Sequence, residues 1–179
     1  MKPTVNTIIT LIIFIITMSS CKTTKPELKV VKTVDLQKYA GTWYEISRLP
    51  NTFEEGLECI TATYTILENG KIEVLNQGQR ISDPSKKETA KGKAHIPDKN
   101  EPAKLKVTFF WPFYGDYFIM ELDENYQYAL VGDPSRKYLW VLARQKTVDD
   151  QTYKQLMDSA QKSGFDIEKV QMTTQNCKN

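Results

Sequence analysis

Between Gly41 and Arg144 the chain is written in short runs that alternate apolar and polar residues, each closed by a turn signal. Period-two alternation puts one set of side chains on each face of a strand, so these runs commit the chain to sheets with one apolar face. Ile60-Thr61-Ala62-Thr63-Tyr64-Thr65-Ile66 is one such run. Glu68-Asn69-Gly70 then makes a hairpin turn into Ile72-Glu73-Val74, and Lys104-Leu105-Lys106-Val107-Thr108-Phe109 alternates cleanly. With a strand opening at Trp43, one around Glu88 to Ile96, and others over Tyr117–Leu122, Tyr126–Val131 and Tyr138–Arg144, the count reaches eight. A helix follows. Thr147-Val148-Asp149-Asp150 reads as a capping box, Tyr153, Leu156, Met157 and Ala160 share one face, and Gly164 is a stop. A short strand over Glu168–Thr173 closes the order. Even spacing of this kind predicts an all-β antiparallel sandwich or barrel.

The N-terminus is of another kind. Lys2 precedes a run from Ile8 to Ile16 broken only by Thr10, too short to span a bilayer comfortably as a helix. Met18-Ser19-Ser20-Cys21 then resembles a lipobox, at which a signal peptide is cut and the cysteine acylated. The expected organisation is a signal peptide over 1–20, a lipidated Cys21 with its tether over 21–34, and one domain over 35–179. Lys22 rather than an aspartate after the cysteine implies the outer membrane, with the domain on the periplasmic side. Taking Cys21 as the lipid site leaves Cys59 and Cys177, between which an oxidising compartment allows a bridge. The 24 basic and 22 acidic residues are interspersed, so no nucleic-acid footprint is expected. No spacing of ligands calls for a metal or a cofactor.

Gly41-Thr42-Trp43-Tyr44-Glu45-Ile46, Asn69-Gly70-Lys71-Ile72 and Tyr138-Leu139-Trp140-Val141-Leu142-Ala143-Arg144 resemble, in that order, the bacterial and apolipoprotein D-like lipocalins. Leu122-Asp123-Glu124 departs from the T-D-Y motif that the family places before its seventh strand. The resemblance implies an eight-stranded up-and-down β-barrel with one C-terminal helix packed outside and a short final strand. Gly41, Trp43 and Arg144 would be its structural motif, closing one end. It also implies a Cys59–Cys177 disulfide and pocket positions at Tyr64, Asn76 and Trp140.

Alternation assigns the remaining walls. Ile60, Ala62, Tyr64 and Ile66 face inward on the second strand, with Cys59 outward. Ile72, Val74, Asn76, Gly78 and Arg80 face inward on the third, with Asn76 and Arg80 towards the mouth. Leu105, Val107 and Phe109 do so on the fifth. On the sixth, Phe118, Met120 and Leu122 are expected inward because Glu121 needs water, and on the eighth Tyr138 and Trp140. Phe110-Trp111-Pro112-Phe113-Tyr114 joins the fifth and sixth strands, either packed on the rim or standing out as a contact surface.

The function these residues and the resemblance imply is storage or transport of a fatty acid or lysophospholipid in the cell envelope, by a protein tied to the outer membrane. A structural or protein-interaction module of the envelope is the alternative, with a lipid-modifying enzyme on the same scaffold behind it, and a homodimer stays open. Catalysis is not expected. His95 is the one histidine, there is no G-x-S-x-G elbow, and an outward Cys59 is no nucleophile.

Overall fold

The computed structural model describes residues 26–177; the expected signal peptide, the lipid site at Cys21 and the start of the tether lie outside the described residues. A short helix α1 (Leu36–Tyr39) leads into eight strands: β1 (Gly41–Arg48), β2 (Leu57–Ile66), β3 (Ile72–Arg80), β4 (Asp83–His95), β5 (Lys104–Phe110), β6 (Phe113–Leu122), β7 (Tyr128–Gly132) and β8 (Leu139–Ala143). Helix α2 (Asp150–Lys162), a 3-10 turn (Ile167–Lys169) and β9 (Gln171–Met172) complete the order. Each strand pairs antiparallel with the next, and β8 and β2 both pair with β1, so the sheet closes into an up-and-down barrel. Eight strands enclose a space suited to side chains or one small ligand.

Two cores follow from the two faces. Inside the barrel, Trp43, Tyr64, Ile72, Val74, Leu105, Ile119, Val131 and Leu142 pack together. Outside, Ile46, Met120, Leu130, Leu139, Val141 and Ala143 are covered by Leu156, Ala160 and Phe165 of the helical segment and by Leu28. Gly132 lies at that outer interface, where an added Cβ would come within 2.6 Å of the Phe165 ring and 2.9 Å of Met120 Sδ. Gly132→Ala is therefore expected to lower the unfolding free energy by about 1–3 kcal/mol through overpacking, read from urea denaturation midpoints; an unchanged midpoint would mean that the Phe165 ring and the Met120 side chain move aside freely.

The sixth strand differs from the expectation. Phe118 and Met120 face outward, towards the helix side, while Tyr117 and Ile119 face inward. A bulge between Ile119 and Glu121 changes the phase, so Leu122 is inward again and Glu121 stays outside, accepting a hydrogen bond from Ser159 Oγ of α2 at 2.5 Å. The helix start also moves. Asp149, not Thr147, is the N-cap, its carboxylate accepting from Thr152 N at 2.9 Å. The final strand is shorter than expected because Ile167–Lys169 curls into the 3-10 turn. Residues 26–34, expected as free tether, lie against the barrel: Leu28 is buried, and Val31 N donates to Ile119 O at 3.1 Å.

The seam between β1 and β2 is closed in two ways. The strands pair directly only over Gly41–Tyr44 and Thr61–Tyr64. Beyond that point the C-terminal segment takes over. β9 pairs with Ser47 and Arg48, Cys59 N donates to Thr174 O at 2.8 Å, and Gln175 Nε2 donates to both Glu45 O (2.7 Å) and Ile60 O (2.9 Å). Cys59, at a bulge with φ 51°, holds this tail through a disulfide to Cys177.

Candidate functional site

The barrel interior is built in layers. At the closed end Trp43 is fully buried and donates from Nε1 to Tyr39 O at 2.8 Å, while the Arg144 guanidinium lies 3.9 Å from the centre of its ring. Arg144 also donates to the carbonyls of Lys38, Tyr39, Ala40, Thr42 and Tyr126 at 2.7–3.3 Å. It thus ties the turn of α1 and the corner before β7 to the foot of β1. Gly41 stands where the chain enters β1 with φ 93°, which glycine adopts readily and other residues only with strain. Gly41, Trp43 and Arg144 thus come together at this end of the barrel, which they close as a floor.

Above the floor Tyr64 donates to the Tyr117 hydroxyl at 2.8 Å, which shares a 2.7 Å hydrogen bond with the Tyr39 hydroxyl. Burial pushes all three phenols above their ordinary value, with the neighbouring tyrosines adding to the effect on Tyr39 and Tyr117. All three therefore stay protonated hydrogen-bonding groups. Val74, Val107, Ile119, Val131 and Leu142 make the apolar wall around them. Phe109 closes one side, its ring lying where a side chain on Gly92 would be, 2.8 Å from an added Cβ.

The next layer is polar, and the expectations above did not contain it. Glu45, Arg48 and Glu54 are buried; Glu45 and Arg48 share their rows with the inward residues Leu142 and Trp140. Arg48 Nη1 donates to Glu45 Oε1 at 2.6 Å and to Thr173 Oγ1 at 3.0 Å, and Thr173 Oγ1 donates to Glu45 Oε1 at 2.5 Å. Arg48 Nη2 donates to Glu54 O, and Trp140 Nε1 to Glu54 Oε2 at 3.1 Å. Arg48 Nε, 3.6 Å from Glu54 Oε2, has no hydrogen-bond partner. The signal was present in the alternation: Trp43 inward puts Glu45 inward too.

Burial first, and then the nearby Glu54 carboxylate, raise the Glu45 carboxyl well above its ordinary 4.5, against the pull of Arg48 and Thr173. A raised carboxyl means that the fold prefers the proton. Its contribution to stability is complete below 4.5 and is lost as pH rises through the folded value. Glu45→Gln should therefore gain on the parent protein as pH rises from about 5 to about 8, in urea unfolding measured at each pH. Parallel stability curves for the two proteins would contradict this.

Of the other expected pocket residues, Asn76 faces inward in register with Ala62, and its Oδ1 is buried without a partner. Trp140 lies beneath Tyr138, stacked at 5.9 Å between ring centres, and Phe53 covers both from the loop after β1. Arg80 lies at the rim, half-exposed, with Nε 2.9 Å from Glu88 Oε1. Phe118 and Met120 are not in the site, for the bulge described above. Among the described residues no cluster of histidine, cysteine, aspartate or glutamate could hold a metal ion. Two polar grooves lie outside the wall, one beside Lys38 and Arg144 and one between Glu121 and α2.

Comparison with known proteins agrees with this architecture. The family model described as a lipocalin-like domain matches residues 34–175. The chain is 40% identical over 157 residues to the outer membrane lipoprotein Blc of Citrobacter freundii, covering 88% of each chain. It is 36% identical over 190 residues to apolipoprotein D of Mus musculus, covering 94% of this chain and 97% of that one. Among solved structures, lobster apocrustacyanin A1 superposes with a TM-score of 0.64 at 19% identity over 79% of each chain, a likeness of fold. A closed eight-stranded barrel with a Trp43–Arg144 floor, matched along its length by these sequences, places the chain in the lipocalin family.

Proposed function

We propose that the barrel holds one lipid, a fatty acid or lysophospholipid, with its acyl chain on the apolar wall and its head in the polar layer below the mouth. The observation that carries this reading is Asn76 Oδ1, an acceptor buried inside the barrel with nothing to accept from. A buried acceptor left unpaired costs about 1–3 kcal/mol, a cost that a ligand donor or a trapped water removes. Arg48 Nε, also without a hydrogen-bond partner, offers a donor to the same layer. Below them the wall is apolar, as a lipid pocket requires. The protein is read as a binding and transport protein rather than an enzyme. The Citrobacter freundii relative is an outer membrane lipoprotein by name, which supports acylation of Cys21 and residence at the outer membrane, with the domain in the periplasm.

Native mass spectrometry of the domain following Cys21, titrated with saturated fatty acids and lysophospholipids, tests this. One lipid should bind per chain, and each added methylene should tighten binding about fourfold, from roughly 0.8 kcal/mol per methylene, until the chain meets the Trp43 floor. Asn76→Leu should weaken binding up to about tenfold. A folded protein that takes up no amphiphile would refute the reading.

A further inference from the structure

The strands run so that the connections after β1, β3, β5 and β7 share one end of the barrel, the mouth, opposite the Trp43–Arg144 floor. Each of these connections carries a large apolar side chain in water. Phe53 is 57% exposed after β1, Ile81 59% after β3, and Tyr138 38% before β8. At the β5–β6 tip Phe110 and Trp111 are both 81% exposed and Phe113 77%. Among the described residues, none of the exposed large apolar side chains lies on a closed-end turn. The aromatic tip therefore does not fold back on the rim. A patch of this composition, rich in aromatics and confined to one end, suits a lipid–water interface.

Pro26 O accepts a hydrogen bond from Arg136 Nη2, and Arg136 belongs to the mouth connection between β7 and β8. Glu27, one residue on, pairs at 2.6 Å with Lys104, which opens β5 at the closed end, and Val31 N donates to Ile119 O before α1 crosses the floor. The chain thus enters the described structure against the wall of the barrel. Cys21 is five residues before Pro26, a span of at most about 18 Å. An acylated Cys21 therefore holds the barrel against its own bilayer, and the end that carries the exposed aromatic side chains is the one suited to that contact.

From these observations we propose that the barrel docks mouth-first on the bilayer that holds its own lipid anchor, with Phe110, Trp111 and Phe113 inserted among the headgroups and upper acyl chains. The proposal rests on acylation of Cys21, as read above. It gives the calyx a lateral source and sink for lipid, because a ligand leaving the mouth enters the membrane without crossing water.

The test uses the full acylated protein on vesicles of phosphatidylethanolamine and phosphatidylglycerol, some brominated on the upper part of their acyl chains. The emission lost on changing Trp111→Phe isolates Trp111 from Trp43 and Trp140. That component is expected to shift to shorter wavelength on vesicles and to be quenched by the brominated lipid. Phe110→Ser with Phe113→Ser, keeping Trp111 as reporter, should abolish most of this quenching while the melting temperature holds. A brominated lipid carried in the calyx quenches Trp140 instead and survives Trp111→Phe, so ligand uptake and membrane docking are read separately. Acylated, vesicle-bound protein whose Trp111 is unquenched would overturn the proposal alone, leaving lipid binding untouched. An intact mass lacking the acyl groups would overturn it together with the anchor. A two-copy mass in solution with Trp111 already shielded, and no quenching on vesicles, would overturn it in favour of a second copy on the patch.

Discussion

Trp43→Ala is expected to lower the unfolding free energy by about 3–5 kcal/mol, the range for removing a large aromatic from a packed core. The position favours the upper part of that range. The ring is fully buried and is the plate on which Arg144 lies, 3.9 Å from its centre. Its Nε1 is also the donor to Tyr39 O, so the substitution leaves a buried carbonyl one partner short. Arg144→Lys should be nearly as harmful as Arg144→Ala. The guanidinium serves five carbonyls, on the α1 turn, the foot of β1 and the corner before β7, and one ammonium group cannot reproduce that fork. Chemical denaturation of the three variants checks this. A Trp43→Ala protein within about 1 kcal/mol of the parent would mean that the closed end is not the structural base of the barrel, since even an average point substitution costs that much.

The second large effect belongs to the Cys59–Cys177 bridge. The crosslink spans a sequence separation of 118 residues, and the chain-entropy model assigns a loop of that length about 5 kcal/mol. Cys59→Ser with Cys177→Ser is therefore expected to lower the melting temperature by about 10–20 °C. A structural consequence accompanies the loss. The bridged tail carries Thr173 onto Glu45 and Arg48, and Gln175 across the seam between β1 and β2. Freed of its crosslink, the tail should fray first, which hydrogen exchange at Cys59 N and Thr173 N in the wild-type protein under reductant would detect. Protection that outlasts reduction would show that the hydrogen bonds alone hold the seam.

Alternation was a sound guide wherever one face of a strand is apolar and the other meets water. Ile72, Val74 and Asn76 on β3, and Trp140 on β8, face as the pattern implied. The guide lost contrast on β6. Phe118, Ile119 and Met120 are consecutive apolar residues because that strand is buried on both faces, by the barrel interior and by the helix side. Glu121 then suggested the wrong phase, since the bulge beside it has no mark in the sequence. The buried polar layer was hidden for another reason. Glu45 has the inward phase, but its partners come from Arg48, the loop at Glu54 and Thr173, which lies 128 residues away. Over residues 26–34, Leu28, Val30, Val31 and Val34 follow no regular period among their polar neighbours, so the sequence gives no sign of the two cores on which they pack.

A lipid inside the barrel must touch the side chains of its inner wall. The most direct measurement follows the Asn76 side-chain amide and the Trp140 indole by 15N–1H NMR while a lysophospholipid is added. Both signals are predicted to move together and to stop moving at one equivalent, with the Trp43 indole, held by the Tyr39 carbonyl, moving less. Shifts confined to Trp111 and its neighbours on the exposed tip, with Asn76 and Trp140 unmoved, would contradict it.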